Sequence, residues 1–98
     1  MNNPLSTDLD SPSSTPYFLW DEPMTVGELR QKLASASDEE SIRLLGKILR
    51  EARDRDVWKF TTPREVWRNW GRLEKHLGRR REFWRFLLEF WAKEGLLD

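Results

Sequence analysis

Apolar residues recur at helical spacing through most of the chain after residue 25, and this pattern predicts an all-α protein with four helices. The predicted helices span about residues 26–35, 38–53, 63–76 and 79–94. In the second of them, the apolar side chains that share one face are Ile42, Leu45, Ile48, Leu49 and Ala52. We therefore expect one compact four-helix domain over residues 17–98.

Three of these helices begin with a capping box, in which a Ser or Thr hydroxyl and a Glu three residues later satisfy free N–H groups of the first turn. The boxes start at Thr25, Ser37 and Thr62, and Pro63 occupies the first helical position of the third. Gly78 follows the third helix, where glycine ends helices in a left-handed conformation. These local signals support the all-helical prediction.

Two segments lie outside the predicted helices. Residues 1–16 are rich in Pro, Ser and Asp without periodicity, which predicts a disordered tail. The aromatic cluster at 17–20 is expected to lie extended across the helices and to cap their core. Residues 54–61 include Val57, Trp58 and Phe60. A single strand there would have no partner, so we interpret the segment as an apolar loop inserted into the core.

Composition narrows the possible classes of protein. The 98 residues leave room for one domain, and six tryptophans supply the large apolar area that so short a chain needs. Cysteine is absent and His76 is the only histidine, so disulfides, thiolate zinc sites, iron–sulfur clusters and multi-histidine metal sites are excluded. The chain shows no secretory signal and no apolar run long enough for a membrane. We expect a cytoplasmic protein without metal or cofactor.

The fourth predicted helix has an unusually wide apolar face. Its apolar residues cover roughly 200° of the helix circumference, about twice the width of an ordinary stripe. They are Phe83, Trp84, Phe86, Leu87, Leu88, Phe90 and Trp91. Either this is the central helix, wrapped by the other three, or part of its face is covered by another protein chain.

Basic residues are concentrated in the second half of the chain, although the net charge is zero. Residues 1–49 contain 4 basic and 8 acidic residues, whereas residues 50–98 contain 13 and 9. The third helix carries Arg64, Arg68, Arg72 and Lys75 along one side, and the second carries Arg43, Lys47 and Arg50.

Arg79, Arg80 and Arg81 open the fourth helix, where positive charge opposes the helix dipole. This cluster is either an ordinary solvated face, neutralised by Glu74 and Glu82, or a site for an acidic protein surface or a nucleic-acid phosphate.

No catalytic motif is present, and we do not expect an enzyme. His76 lies at the end of the third helix, where a protonated imidazole favours the negative helix terminus. Asp54 and Asp56 lie among Arg53, Arg55 and Lys59, which indicates a salt-bridged loop and not a metal pair.

Three stretches, residues 16–29, 45–63 and 76–91, resemble a family of small bacterial proteins of unassigned function. This family resembles antitoxin-like partners encoded beside nucleotidyltransferase toxins of the abortive-infection type. The resemblance covers about 80 of the 98 residues and rests on core aromatics and caps, so it transfers no functional residues. It implies a toxin-like protein partner.

The sequence therefore favours a non-enzymatic interaction protein that binds and restrains a cognate partner, with self-association as a further possibility. A small helix-turn-helix-like nucleic-acid-binding protein is the alternative. The candidate partner-binding residues are Arg64, Arg68, Arg72, Arg79, Arg80, Arg81, Trp84 and Trp91.

Overall fold

The computed structural model describes residues 5–35 and 38–97 of the chain. Within these ranges the backbone is mostly helical. The α-helices are α1 (Val26–Ser35), α2 (Asp38–Glu51), α3 (Asp54–Val57), α4 (Pro63–Arg68), α5 (Trp70–Leu73) and α6 (Arg81–Lys93). Two 3-10 turns cover Glu74–His76 and Gly78–Arg80, and two short strands are β1 (Leu5–Ser6) and β2 (Thr15–Pro16). The all-α class is confirmed in its broad form, but the described part has six helices and not four.

α2 is the central helix of the molecule. It contacts α1, α3, α5 and both 3-10 turns, and nearly every side chain between residues 42 and 49 is buried. Gly46 lets the chain at His76 approach closely, because a Cβ at this glycine would lie 2.5 Å from Cβ of His76. The core is therefore built around the aliphatic α2 and not around the fourth predicted helix.

The predicted caps of α1 and α4 are found. Thr25 and Glu28 form the full reciprocal box, with N–H to side-chain oxygen distances of 3.0 and 3.1 Å. At α4 only half of the box forms: Thr62 accepts from the N–H of Glu65, whereas the Glu65 carboxylate accepts from the Thr61 hydroxyl. The box predicted at Ser37 lies outside the described residues.

The third predicted helix is divided at Asn69, into α4, α5 and a 3-10 turn. The Asn69 side chain donates to the carbonyl of Glu65 at 2.9 Å, and its backbone leaves the helical region at φ −103° and ψ 12°. A side chain that binds its own helix backbone competes with the regular ladder, which explains the break. Gly78 has φ 52°, so its predicted role after this segment is confirmed.

Residues 5–16 differ from the predicted tail. β1 and β2 pair in parallel, and Leu9 between them is only 1% exposed in the core. The carbonyls of Pro12 and Ser14 accept from the N–H groups of Gly27 and Val26, which are otherwise unpaired in the first turn of α1. The segment is ordered because it buries a leucine and caps a helix, neither of which appears as local periodicity.

The prediction of an apolar loop at residues 54–61 is also corrected. The first half of this segment is the helical turn α3 and not an apolar loop, although Val57 is fully buried as expected.

The Tyr17 hydroxyl accepts from the Arg53 N–H at 2.7 Å and donates to the Asp56 carboxylate at 2.6 Å. Burial, followed by the hydrogen bond to Asp56, raises the pKa of Tyr17. Tyr17 thus holds the start of α3, and Phe18 and Leu19 fill the core while Trp20 points outward at 63% exposure.

Candidate interaction surface on α6

α6 has one buried and one exposed apolar side. Trp84 and Leu88 are fully buried on the first side. On the other side Phe83, Phe86 and Phe90 are 42%, 73% and 51% exposed. We call these three residues the aromatic stripe. Among the residues that the structure describes, the other elements cover only the first side, so α6 is not the wrapped central helix that the sequence offers as one interpretation.

The aromatic stripe is contiguous because its members are three and four residues apart, a spacing that places side chains on one helix face. Leu87 lies between the stripe and the core and is half-buried. The helix itself is firmly attached, since the Trp84 indole N–H donates to the buried carbonyl of Leu49 at 2.8 Å. The stripe is thus presented on a rigid element.

The two tryptophans predicted to bind a partner lie on the core side instead. The Trp84 ring packs edge-on against Trp58 with centroids 5.7 Å apart, and it is inaccessible to another chain. Trp91 is half-buried, and its ring centre lies 6.1 Å from that of Trp58. Their role is to anchor α6, because a buried indole contributes a large apolar area to the core.

The arginines that precede α6 are divided between two environments. Arg80 pairs with Asp54, and its guanidinium lies 4.5 Å from the ring centre of Phe83. Arg81 donates to Glu74 at 2.7 Å. Among the described residues, Arg79 has no ion-pair partner and faces solvent. Two of the three predicted anion ligands are therefore engaged within the fold, in agreement with the interpretation that Glu74 and Glu82 neutralise part of the cluster.

The predicted stripe of the third helix is only partly a free basic surface. Arg64 and Arg68 on α4 are exposed, and neither forms an ion pair with another described residue. Arg72 lies beyond the break at Asn69 and lines an open groove of about 390 Å³ together with Ile42, Lys75 and His76.

The basic residues of α2 form an internal network and not a binding stripe. Lys47 is 4% exposed and pairs with Asp21, which lowers the pKa of Asp21. Arg43 donates to Glu22 at 2.9 Å and to Glu40 at 2.7 Å, and these bonds raise the pKa of Arg43.

Arg50 extends this network by donating to the carbonyl of His76 at 2.9 Å. This bond ties α2 to the 3-10 turn at Glu74–His76, whereas the pairs of Asp21 and Glu22 tie the segment before α1 to α2.

The residues considered for catalysis or metal binding are separated by their contacts. Asp56 accepts from Tyr17, whereas Asp54 pairs with Arg80 on the other side of α3. His76 lies against Gly46, and its backbone carbonyl is bound by Arg50. No group of three or more potential metal ligands is found among the residues that the structure describes. Within the same residues, none of the helices has the length and apolarity required to cross a membrane.

The exposed Phe83, Phe86 and Phe90 on α6 are absent from the candidate set. The signal for them was present, because Phe83, Phe86 and Phe90 lie on the opposite side of the helical wheel from Trp84 and Leu88. What the wheel alone could not supply is which of the two sides the remaining elements cover.

Comparison of the chain with protein-family models, with curated proteins and with solved structures finds no match. The function is therefore argued from the geometry of the surface.

Proposed function

We propose that this protein is a non-enzymatic interaction module that binds and restrains a cognate protein partner in the manner of an antitoxin. The observation that carries the proposal is the aromatic stripe on α6, whose most exposed member, Phe86, is 73% accessible. Exposed apolar patches are often functional, and aromatic residues are enriched in the buried cores of protein interfaces.

The attachment of the aromatic stripe to the core supports this role. Phe83, Phe86 and Phe90 lie on one helix that Trp84 and Leu88 anchor to the core, so a partner meets a preformed surface. Preformed aromatic contacts bind well because little conformational freedom is lost on association. Aromatic residues of this kind commonly supply most of the binding energy in an interface.

The class of partner follows from the resemblance in sequence and is part of the proposal. The partner would be a toxin of the nucleotidyltransferase type encoded by the neighbouring gene, and both proteins would act in the cytoplasm. Binding of the stripe to the toxin would hold it inactive without any chemistry by this chain.

The decisive experiment is co-expression of this chain with the protein from the neighbouring gene, followed by affinity capture and a growth assay. We expect the wild type and Arg85→Ser to form the complex and to suppress toxicity, because Arg85 lies on α6 outside the stripe. Phe86→Ser should lose both properties. Failure of the wild type to form a complex or to rescue growth would overturn the proposal.

A nucleic-acid-binding role is the second candidate, and one observation favours it. Arg64 and Arg68 face solvent without an ion pair among the described residues, as phosphate-binding arginines do. Against it, the surface of α6 available for a DNA groove carries three phenylalanines. Binding to duplex DNA that falls steeply with salt and is weakened by Arg64→Ala with Arg68→Ala would establish this role in place of the first.

A further inference from the structure

We infer that, without its partner, this protein forms a weak homodimer in which the α6 helices of two copies lie antiparallel with their aromatic stripes in contact. The dimer itself follows from the surface of this chain. Only its consequence, that self-association covers the partner-binding face and competes with the partner, rests on the proposed function.

The spacing of the stripe suits helix-to-helix packing. Phe83, Phe86 and Phe90 stand at positions i, i+3 and i+7, the repeat with which one helix packs along another. The stripe is about 10 Å long at the helical rise of about 1.5 Å per residue. In an antiparallel pair with a two-fold axis near Phe86, Phe83 of one copy lies next to Phe90 of the other.

The charges around the stripe select a second copy in the antiparallel direction. Arg79 lies at its N-terminal end and Glu94 at its C-terminal end, and neither has an ion-pair partner among the described residues. An antiparallel arrangement brings Arg79 of each copy towards Glu94 of the other. A parallel arrangement would bring like charges together at both ends.

The flank of the stripe shows the same complementarity. Glu82 and Lys93 are eleven residues apart, which places them about 20° apart around the helix axis and therefore on the same side. Equivalent flanks face each other in an antiparallel pair, so Glu82 of one copy meets Lys93 of the other. Lys93 would then gain an oppositely charged neighbour, and Glu82, which already lies 3.4 Å from the Arg81 guanidinium of its own chain, would gain a second one.

The area of the stripe indicates that the dimer is weak. Given the exposed fractions of the three rings, the stripe offers roughly 300 Å² per copy, whereas stable interfaces bury about 1,200–2,000 Å² in total. We therefore expect dissociation on dilution between about 1 mM and 1 µM. A partner that covers a larger area would displace the second copy.

Sedimentation equilibrium of the full chain over that concentration range tests the inference. The mass should rise from 11.8 kDa towards twice that value for the wild type and Arg85→Ser, whereas Phe86→Ser should stay monomeric. A wild type that is monomeric at about 1 mM, or a Phe86→Ser protein that dimerises as well as the wild type, would overturn the dimer.

Charge exchange tests the direction of pairing without changing the stripe. Arg79→Glu alone and Glu94→Arg alone should each weaken dimerisation several-fold, and the double exchange should restore it. Single exchanges without effect would overturn the antiparallel arrangement. A chain that stays monomeric but captures its toxin contradicts the dimer alone, and a chain that dimerises through α6 but captures no toxin contradicts the proposed function alone.

Discussion

α2 and α6 are nearly equal in length, with 14 and 13 residues, yet they differ in how much of their surface is buried. α2 is covered on almost every side, even at Gly46 and Lys47. α6 is covered on one side only, although its apolar face is wider and more aromatic. The helix that appears more hydrophobic in the sequence is the one that is more exposed.

The difference teaches that coverage depends on the rest of the chain and not on the apolar width of a helix. α2 is enclosed because α1, α3, α5 and both 3-10 turns pack around it, and Asp21 and Glu22 supply carboxylates for its buried and half-buried cations. On α6, Arg80 covers the Phe83 ring in part, and the described residues leave Phe86 and Phe90 more than half exposed. An apolar face beyond what the fold covers is then available for another protein.

The largest effect that follows from this comparison is expected at Trp84. Trp84→Ala should lower the free energy of unfolding by about 3–5 kcal/mol, because it removes a fully buried indole and leaves the Leu49 carbonyl without its donor. Denaturant unfolding followed by circular dichroism measures this change.

Trp84→Phe is the matched control, and it should lose less because it keeps most of the ring volume. A loss below about 1 kcal/mol for Trp84→Ala would contradict the anchored position of α6.

The stability of the fold should be sensitive to a side chain at Gly46, the glycine of α2. Gly46→Ala is expected to cost about 1–3 kcal/mol, since the new Cβ would lie 2.5 Å from Cβ of His76 and would push the two segments apart. Thermal or denaturant unfolding of the purified variant measures the loss.

Gly71→Ala is the control for the general effect of replacing a glycine by alanine. A Cβ at Gly71 meets no atom within 4 Å, so the variant should be stabilised by about 0.4–1 kcal/mol through its higher helix propensity. Equal effects at the two glycines would contradict the close approach of α2 to His76.

The local features of the fold could be predicted from the sequence because they depend on residues close together in the chain. The cap at Thr25, the left-handed Gly78 and the start of α4 at Thr62 are examples. The order of residues 5–16 could not be predicted, since it depends on Leu9 entering a core made by later residues. The same holds for α3, which Tyr17 holds from 39 positions away.

The sequence likewise predicts only those features of the candidate surface that depend on residues close together in the chain. The wheel located the excess of apolar residues on the fourth predicted helix, but tryptophan was expected at the interface where phenylalanine is exposed. The arginine cluster was visible as a run, whereas the pairing of Arg80 with Asp54 joins segments 26 residues apart. Contacts between distant segments are not encoded in local periodicity.

Acid should weaken the pairs that Asp21 and Glu40 form with the cations of α2. The pKa of Asp21 is lowered by its bond with Lys47, and that of Glu40 by its bond with Arg43. A lowered pKa in the folded state stabilises the protein above the unfolded pKa, so this stabilisation should be lost as the pH falls below about 4.5 for Glu40 and below about 3.8 for Asp21. Unfolding free energies between pH 7 and pH 3 measure it.

Lys47→Met provides the control, because it removes the partner of Asp21 while filling the buried site with an apolar side chain of similar length. Its stability should decline less over the same pH range than that of the wild type. An identical decline in both proteins would show that the pair of Asp21 and Lys47 does not support the cover of α2.

The smallest change in stability is expected on the exposed side of α6. Phe86→Ser should alter the unfolding free energy of the monomer by no more than about 0.5 kcal/mol, because a ring that is 73% exposed gains little from folding and Phe and Ser have similar helix propensities. Leu88→Ala, two positions along the same helix but fully buried, should lose about 2–5 kcal/mol.

The unfolding free energies of both variants are measured at about 1 µM, since dimerisation stabilises the wild type by mass action at higher concentration. A loss above about 1 kcal/mol for Phe86→Ser at this dilution would mean that the chain itself covers the aromatic stripe, and α6 would then be enclosed as α2 is.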